Sequence, residues 1–69
     1  MRIHLNNREE LLDTTRASLT VSELLVLKRY SFPHLVVRIN GILIKRNQYA
    51  SAFFQDGDRV EVIHLISGG

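Results

Sequence analysis

The sequence predicts a two-layer α+β domain in which a mixed sheet of four to five strands is covered on one face by a single helix. Three observations predict it: a helix-capping signature at Thr20-Val21-Ser22-Glu23, an Asn40-Gly41 pair between two β-rich arms, and the apolar strand-like run Val60-Glu61-Val62-Ile63-His64-Leu65-Ile66. A chain of 69 residues with 45% hydrophobic content makes one small domain, large enough for one core and too small for a deep active site of its own. The expected organisation is a folded domain over residues 1–66 and a flexible tail over 67–69.

The elements follow in order. Met1-Arg2-Ile3-His4-Leu5 alternates apolar and polar residues, and Asn6-Asn7 is a polar pair suited to the positive φ of a tight turn, which reads as strand, turn, strand. The returning arm is Arg8-Glu9-Glu10-Leu11-Leu12, and Thr14-Thr15-Arg16-Ala17-Ser18 is a polar connection. Thr20 can accept from the Glu23 amide while the Glu23 carboxylate reaches back, so a helix starts there. Val21, Leu24, Leu25 and Leu27 form its apolar stripe, Lys28-Arg29 suit its negative end, and Pro33 stops continuation, which places the helix over about residues 21–30.

Val36-Val37-Arg38-Ile39, Asn40-Gly41 and Ile42-Leu43-Ile44-Lys45 predict a hairpin closed by a type I′ turn. Arg46 to Phe54 has no clean period and is expected to be irregular, with Tyr49, Phe53 and Phe54 plugging the edge of the core. Asp56-Gly57-Asp58 supplies turn chemistry and launches the last strand at Arg59. No further carboxylates accompany those two aspartates to complete a calcium loop. A right-handed crossover through the helix brings the final strand beside the first, which is the β-grasp arrangement.

Composition excludes several functions. There is no cysteine for a disulfide or a thiol nucleophile, and the three histidines lack metal-ligand spacing. The amino terminus lacks the build of a signal peptide, and the longest apolar run, Leu24 to Leu27, is far short of the roughly 20 residues of a membrane span, so a cytoplasmic protein is expected. Nine basic against seven acidic side chains leave a net charge of +2, with arginines scattered at positions 2, 8, 16, 29, 38, 46 and 59. No dense basic run or aromatic platform marks a nucleic-acid binder.

Two features remain for function. Alternation along the last strand gives Val60, Val62 and His64 to one side and Glu61, Ile63 and Leu65 to the other, so apolar residues occupy both faces. One set exceeds what a one-helix core needs. Ile63 and Leu65, with Leu43 of the hairpin, are therefore expected to form an apolar docking patch on the open sheet face, rimmed by Arg46 and Arg59, which meet acidic partner residues. His64 is expected to be exposed or half-buried rather than a general base. The second feature is Gly68-Gly69: without Cβ atoms, such a tail enters a channel closed to other residues.

Ile39-Asn40-Gly41, Lys45-Arg46, Tyr49-Ala50, Gln55-Asp56-Gly57-Asp58-Arg59-Val60-Glu61-Val62 and Gly68-Gly69 together resemble the ubiquitin-like sulfur carriers, and among them the ThiS-type branch of thiamine biosynthesis. The chain departs from the family's frequent pattern at Lys28, Lys45 and Tyr49, where an apolar residue, proline and tryptophan are common. The resemblance implies that Gly69 is adenylated by an E1-like adenylating enzyme using ATP, and that Gly68 threads the tail into that enzyme's site. It further implies conversion to a thiocarboxylate with sulfur from a donor such as a cysteine desulfurase system, and donation to the thiazole ring through a thiazole synthase. No catalytic residue, metal or bound cofactor is expected, since no phosphate-cradling loop or thiol is present to activate the carboxylate. The alternatives are a molybdopterin-type or other sulfur carrier, a ubiquitin-like modifier joined to lysines through Gly69, and a non-covalent binding module.

Overall fold

The computed structural model describes residues 1–30 and 34–65. Its strands are β1 (Arg2–Leu5), β2 (Arg8–Leu11), β3 (Ser18–Thr20), β4 (Leu35–Ile39), β5 (Ile42–Ile44), β6 (Phe53–Gln55) and β7 (Arg59–His64), with helix α1 (Val21–Leu27) between β3 and β4. A five-stranded sheet runs in the order β2-β1-β7-β4-β5, and β3 pairs with β6 in a separate two-stranded sheet. β1 and β7 are parallel, while β1–β2, β4–β5 and β4–β7 are antiparallel. This is the expected β-grasp, with the last strand inserted beside the first.

Local chemistry explains the turns. Asn6 and Asn7 take φ of 52° and 67° between β1 and β2, and Asn40 and Gly41 take 50° and 82° between β4 and β5, the positive values that a type I′ turn needs at both central positions. Gly57 takes φ 88° in the turn before β7, where its N–H donates to the Arg2 carbonyl at 2.7 Å and Asp56 Oδ1 accepts from the Arg2 N–H at 2.7 Å. The acidic turn is thereby tied to the first strand.

The capping box is present: Thr20 Oγ1 accepts from the Glu23 N–H at 3.1 Å and Glu23 Oε1 accepts from the Thr20 N–H at 2.9 Å. The next helical amides, of Val21 and Ser22, donate to the carbonyls of Ala52 and Tyr49 at 3.0 and 2.9 Å. The helix ends at Leu27, earlier than the expected residue 30. Arg29 adopts φ 58°, its N–H donates to the Val26 carbonyl and that of Tyr30 to the Leu25 carbonyl, a Schellman closure that stops the helix before Pro33, which lies outside the described residues. Lys28 does not serve the helix end alone, since its Nζ pairs with Glu10 Oε1 at 3.2 Å.

Four further expectations are corrected. Ser18 leaves the polar connection to form β3, and the segment after β5 is ordered as a 3-10 turn over Arg46–Gln48 followed by β6. β3 and β6 support one another through Leu19↔Phe54 and Thr20↔Phe53, a pairing across more than thirty intervening residues that no local pattern announces. Of the three aromatics expected to plug the core, Phe54 is 1% exposed, Tyr49 is half-buried, and Phe53 is 57% exposed because it alternates to the far side of β6. Leu12 falls outside β2 yet is buried.

The core joins Ile3 and Leu5 of β1, Val37 and Ile39 of β4, and Val60 and Val62 of β7 to Val21 and Leu24 of the helix, closed by Leu12, Leu19 and Phe54. Leu27, counted in the helical stripe, is exposed. Among the described residues no buried polar side-chain atom lacks a hydrogen-bond partner.

Candidate functional site

The strand register determines what the uncovered sheet face carries. Val37 pairs with Val62 and Ile39 with Val60, all four buried. The residues between them therefore point outward: Val36 lies opposite Ile63, and Arg38 lies between Glu61 on β7 and Leu43 on β5. Arg38 Nη1 and Glu61 Oε1 are 3.7 Å apart, a loose pair of half-buried residues. Beyond β7, the Leu65 N–H donates to the His34 carbonyl at 3.0 Å, which extends the β4 pairing past His64.

Leu43, Ile63 and Leu65 are 57%, 39% and 51% exposed, large side chains on a face the helix does not cover. A groove of about 390 Å³ is lined by Val36, Leu43, Lys45, Arg46, Tyr49 and Leu65 among others. The structure thus brings Leu43, Leu65 and Arg46 together, with Ile63 beside them across from Val36. It does not bring Arg59 to them. Arg59 begins β7, some six residues and about 20 Å of extended strand from Leu65, and lines a different pocket with His4, Asn40 and Gly57. His64 is exposed.

Val36 and Tyr49 were not among the residues singled out for docking. Val36 was legible: in the hairpin arm Val36-Val37-Arg38-Ile39, a residue two before the outward Arg38 shares its face. Tyr49 was not, because its place depends on the 3-10 turn that precedes it.

The tail residues Ser67, Gly68 and Gly69, and Ile66 before them, lie outside the described residues. Among the described residues no cluster of His, Asp or Glu is arranged to hold a metal, and no helix is long and apolar enough to cross a membrane. One titration is displaced. The Glu23 carboxyl is held below its ordinary value of 4.5, first by the bond from the Thr20 N–H, against the opposing effect of desolvation, and further by the Thr20 hydroxyl and the paired Arg16 guanidinium. That carboxyl belongs to the helix cap and not to the groove.

Comparison with known proteins agrees with this architecture. The crystal structure of a thiamine biosynthesis protein (ThiS) from Geobacter metallireducens matches with a TM-score of 0.86 at 28% identity, covering 100% of both chains. An NMR solution structure of a thiamine biosynthesis protein from the same organism gives a TM-score of 0.81 at 28% identity over 100% of this chain and 88% of that one. A thiazole synthase of Magnetococcus marinus is 30% identical over 69 residues, which is all of this chain and 20% of that protein, so the chain spans about a fifth of the length of this curated relative. Residues 3–69 match the ThiS family, a stretch that takes in the β-grasp, the outer-face residues and Gly68-Gly69, and the chain belongs to that family.

Proposed function

We propose that this chain is a sulfur carrier for the thiazole of thiamine, a co-substrate rather than a catalyst, whose reacting group is the Gly69 carboxylate. The observation that supports this best is the family match reaching through residue 69, together with end-to-end similarity to a thiamine biosynthesis protein. A carboxylate is a poor electrophile because its charge repels nucleophiles and oxide is a bad leaving group. In the proposed sequence the Gly69 carboxylate attacks the α-phosphorus of ATP in a cytoplasmic adenylating enzyme, pyrophosphate departs, and an acyl adenylate forms. Sulfide, released by a thiol reductant from the persulfide of a sulfur donor such as a cysteine desulfurase system, then attacks the carbonyl carbon, AMP departs, and a thiocarboxylate results.

This chain's own part is recognition. The groove between Leu43 and Leu65 offers apolar area for docking, and Lys45 and Arg46 at its edge favour an acidic partner surface. Gly68 has no side chain to obstruct a narrow channel. A thiazole synthase as the sulfur acceptor is supported by the curated relative, a thiazole synthase with a stretch similar to this whole chain. ATP and the sulfur donor are bound by partners in this scheme, and the carrier holds no cofactor.

The test is intact mass after incubation with an adenylating enzyme, ATP and sulfide. A shift equal to replacement of one oxygen by sulfur is expected for the wild type and absent after removal of Gly69. Isopeptide adducts to lysines in place of that shift would favour a protein modifier, and retained partner binding without either would favour a binding module.

A further inference from the structure

β1 ends before β7 does. The two strands pair in parallel at His4↔Arg59 and Leu5↔Val60, and the Asn6 N–H still donates to the Val60 carbonyl at 3.0 Å. The chain then turns back through Asn6 and Asn7 into β2, while β7 runs on to His64. At Val62 a side chain replaces the departed strand: Asn6 Oδ1 accepts from the Val62 N–H at 2.8 Å and Asn6 Nδ2 donates to the Val62 carbonyl at 3.1 Å. A carboxamide has the same donor and acceptor as a peptide group, so it continues the ladder by one rung without continuing the strand.

Val62 is buried, and its sequence neighbour Ile63 belongs to the outer face. The rung therefore lies where β7 passes from the core toward Leu65 and the carboxyl terminus. Asn40 makes a comparable tie at the other end of β7: its N–H donates to the Arg59 carbonyl at 2.7 Å, its Oδ1 accepts from the Arg59 N–H at 2.9 Å, and its Nδ2 donates to Asp58 Oδ1 at 3.1 Å. Two turn asparagines thus bracket the last strand, and only Asn6 acts on the half that leads to the tail.

We infer that Asn6 is a positioning residue for the last strand, its carboxamide holding β7 at Val62 so that the strand end from which the tail departs is presented to the partner in a fixed relation to the docking face. This rests on the carrier reading above. Removing the rung leaves Val62 without its partners on the β1 side, and the partner enzyme must then order a looser strand end before the tail is productively placed.

Asn6→Gly tests the effect, because glycine accepts the positive φ of the turn while the carboxamide is removed with the rest of the side chain. With two hydrogen bonds lost, hydrogen exchange at the Val62 amide is expected to speed up about tenfold, and thiocarboxylate formation at saturating adenylating enzyme, ATP and sulfide to slow about tenfold, at a temperature where the variant is fully folded. Asn40→Gly is the control: it loses comparable bonds at the far end of β7 and is expected to load sulfur like the wild type. Asn6→Asp adds a pH signature, since the carboxylate still accepts from the Val62 N–H but opposes the Val62 carbonyl, and protonation restores a donor. Corrected for intrinsic exchange, Val62 protection should recover on acidification in this variant alone. Normal loading by Asn6→Gly despite faster Val62 exchange overturns the inference, as does equal slowing in Asn40→Gly. Should Asn6→Gly not fold, normal loading by Asn6→Asp at neutral pH overturns it. If the wild type itself does not load, the carrier reading falls and takes this inference with it.

Discussion

The two faces of the central sheet are built from the same strands, yet one is wholly apolar and buried under the helix while the other mixes apolar residues with Arg38 and Glu61. Val37, Ile39, Val60 and Val62 point inward and are buried against Val21 and Leu24 of the helix. One residue along the same strands, Val36, Ile63 and Leu43 point outward and meet no helix. An apolar side chain on the inner face stabilises the fold, whereas on the outer face it remains available to a partner. The difference teaches that apolar residues on both sides of β7 exceed what a single helix can cover, because one helix covers only one face.

This contrast can be broken by substitution. The largest effect is expected inside: Leu24→Ala should cost about 2–5 kcal/mol of stability by denaturant unfolding, because it opens a cavity under a fully buried side chain. Outside, Leu65→Asp should change stability by no more than about 0.5 kcal/mol while weakening partner docking by about 2 kcal/mol, as expected of a central interface residue. Unfolding and sulfur-loading measurements on the same sample read the two quantities. A Leu65→Asp protein that loads normally would remove the outer face from the docking account.

Smaller effects sharpen the boundary between the faces. Thr20→Ala should cost about 1 kcal/mol through the lost helix cap, with loading unchanged once the protein is folded. The same cap gives an acid-side signature. Because the folded state holds the Glu23 carboxyl below 4.5, its contribution is present above that ordinary value and is lost as pH falls through the lower, folded one. Stability measured against pH should therefore decline on acidification in the wild type, with that component missing in Glu23→Gln; superimposable profiles would contradict it. The smallest effect is expected at Arg38→Gln, whose pairing with Glu61 is long at 3.7 Å and still open to solvent on the Arg38 side, and should contribute at most about 0.5 kcal/mol.

Much of this was legible beforehand where the cause is local. The Thr20–Glu23 box and the Asn40-Gly41 turn depend on residues within a few positions of each other, and both form as expected. Lys28-Arg29 suit a helix end and Pro33 marks a hard stop, which together predict a longer helix; instead Arg29 takes the left-handed conformation that closes it earlier. The β3–β6 ladder escaped because three-residue strands carry too little periodicity to be seen, and their pairing partners are distant in the chain. On the outer face, alternation was enough to place Ile63, Leu65 and Leu43, but the rim was misjudged: Arg46 reaches the groove and Arg59 does not.

The asparagines mark the division most clearly. Short-range sterics determine that Asn6 and Asn40 accept positive φ, so their roles as turn residues follow from the chain alone, as do the start of the helix and the alternation of the last strand. That both carboxamides also hold β7, fifty-six positions from Asn6 at Val62 and nineteen from Asn40 at Arg59, was decided only when the last strand inserted between β1 and β4. Hydrogen bonds between residues so far apart depend on where the sheet order places their strands, and a turn residue's φ carries no information about that order.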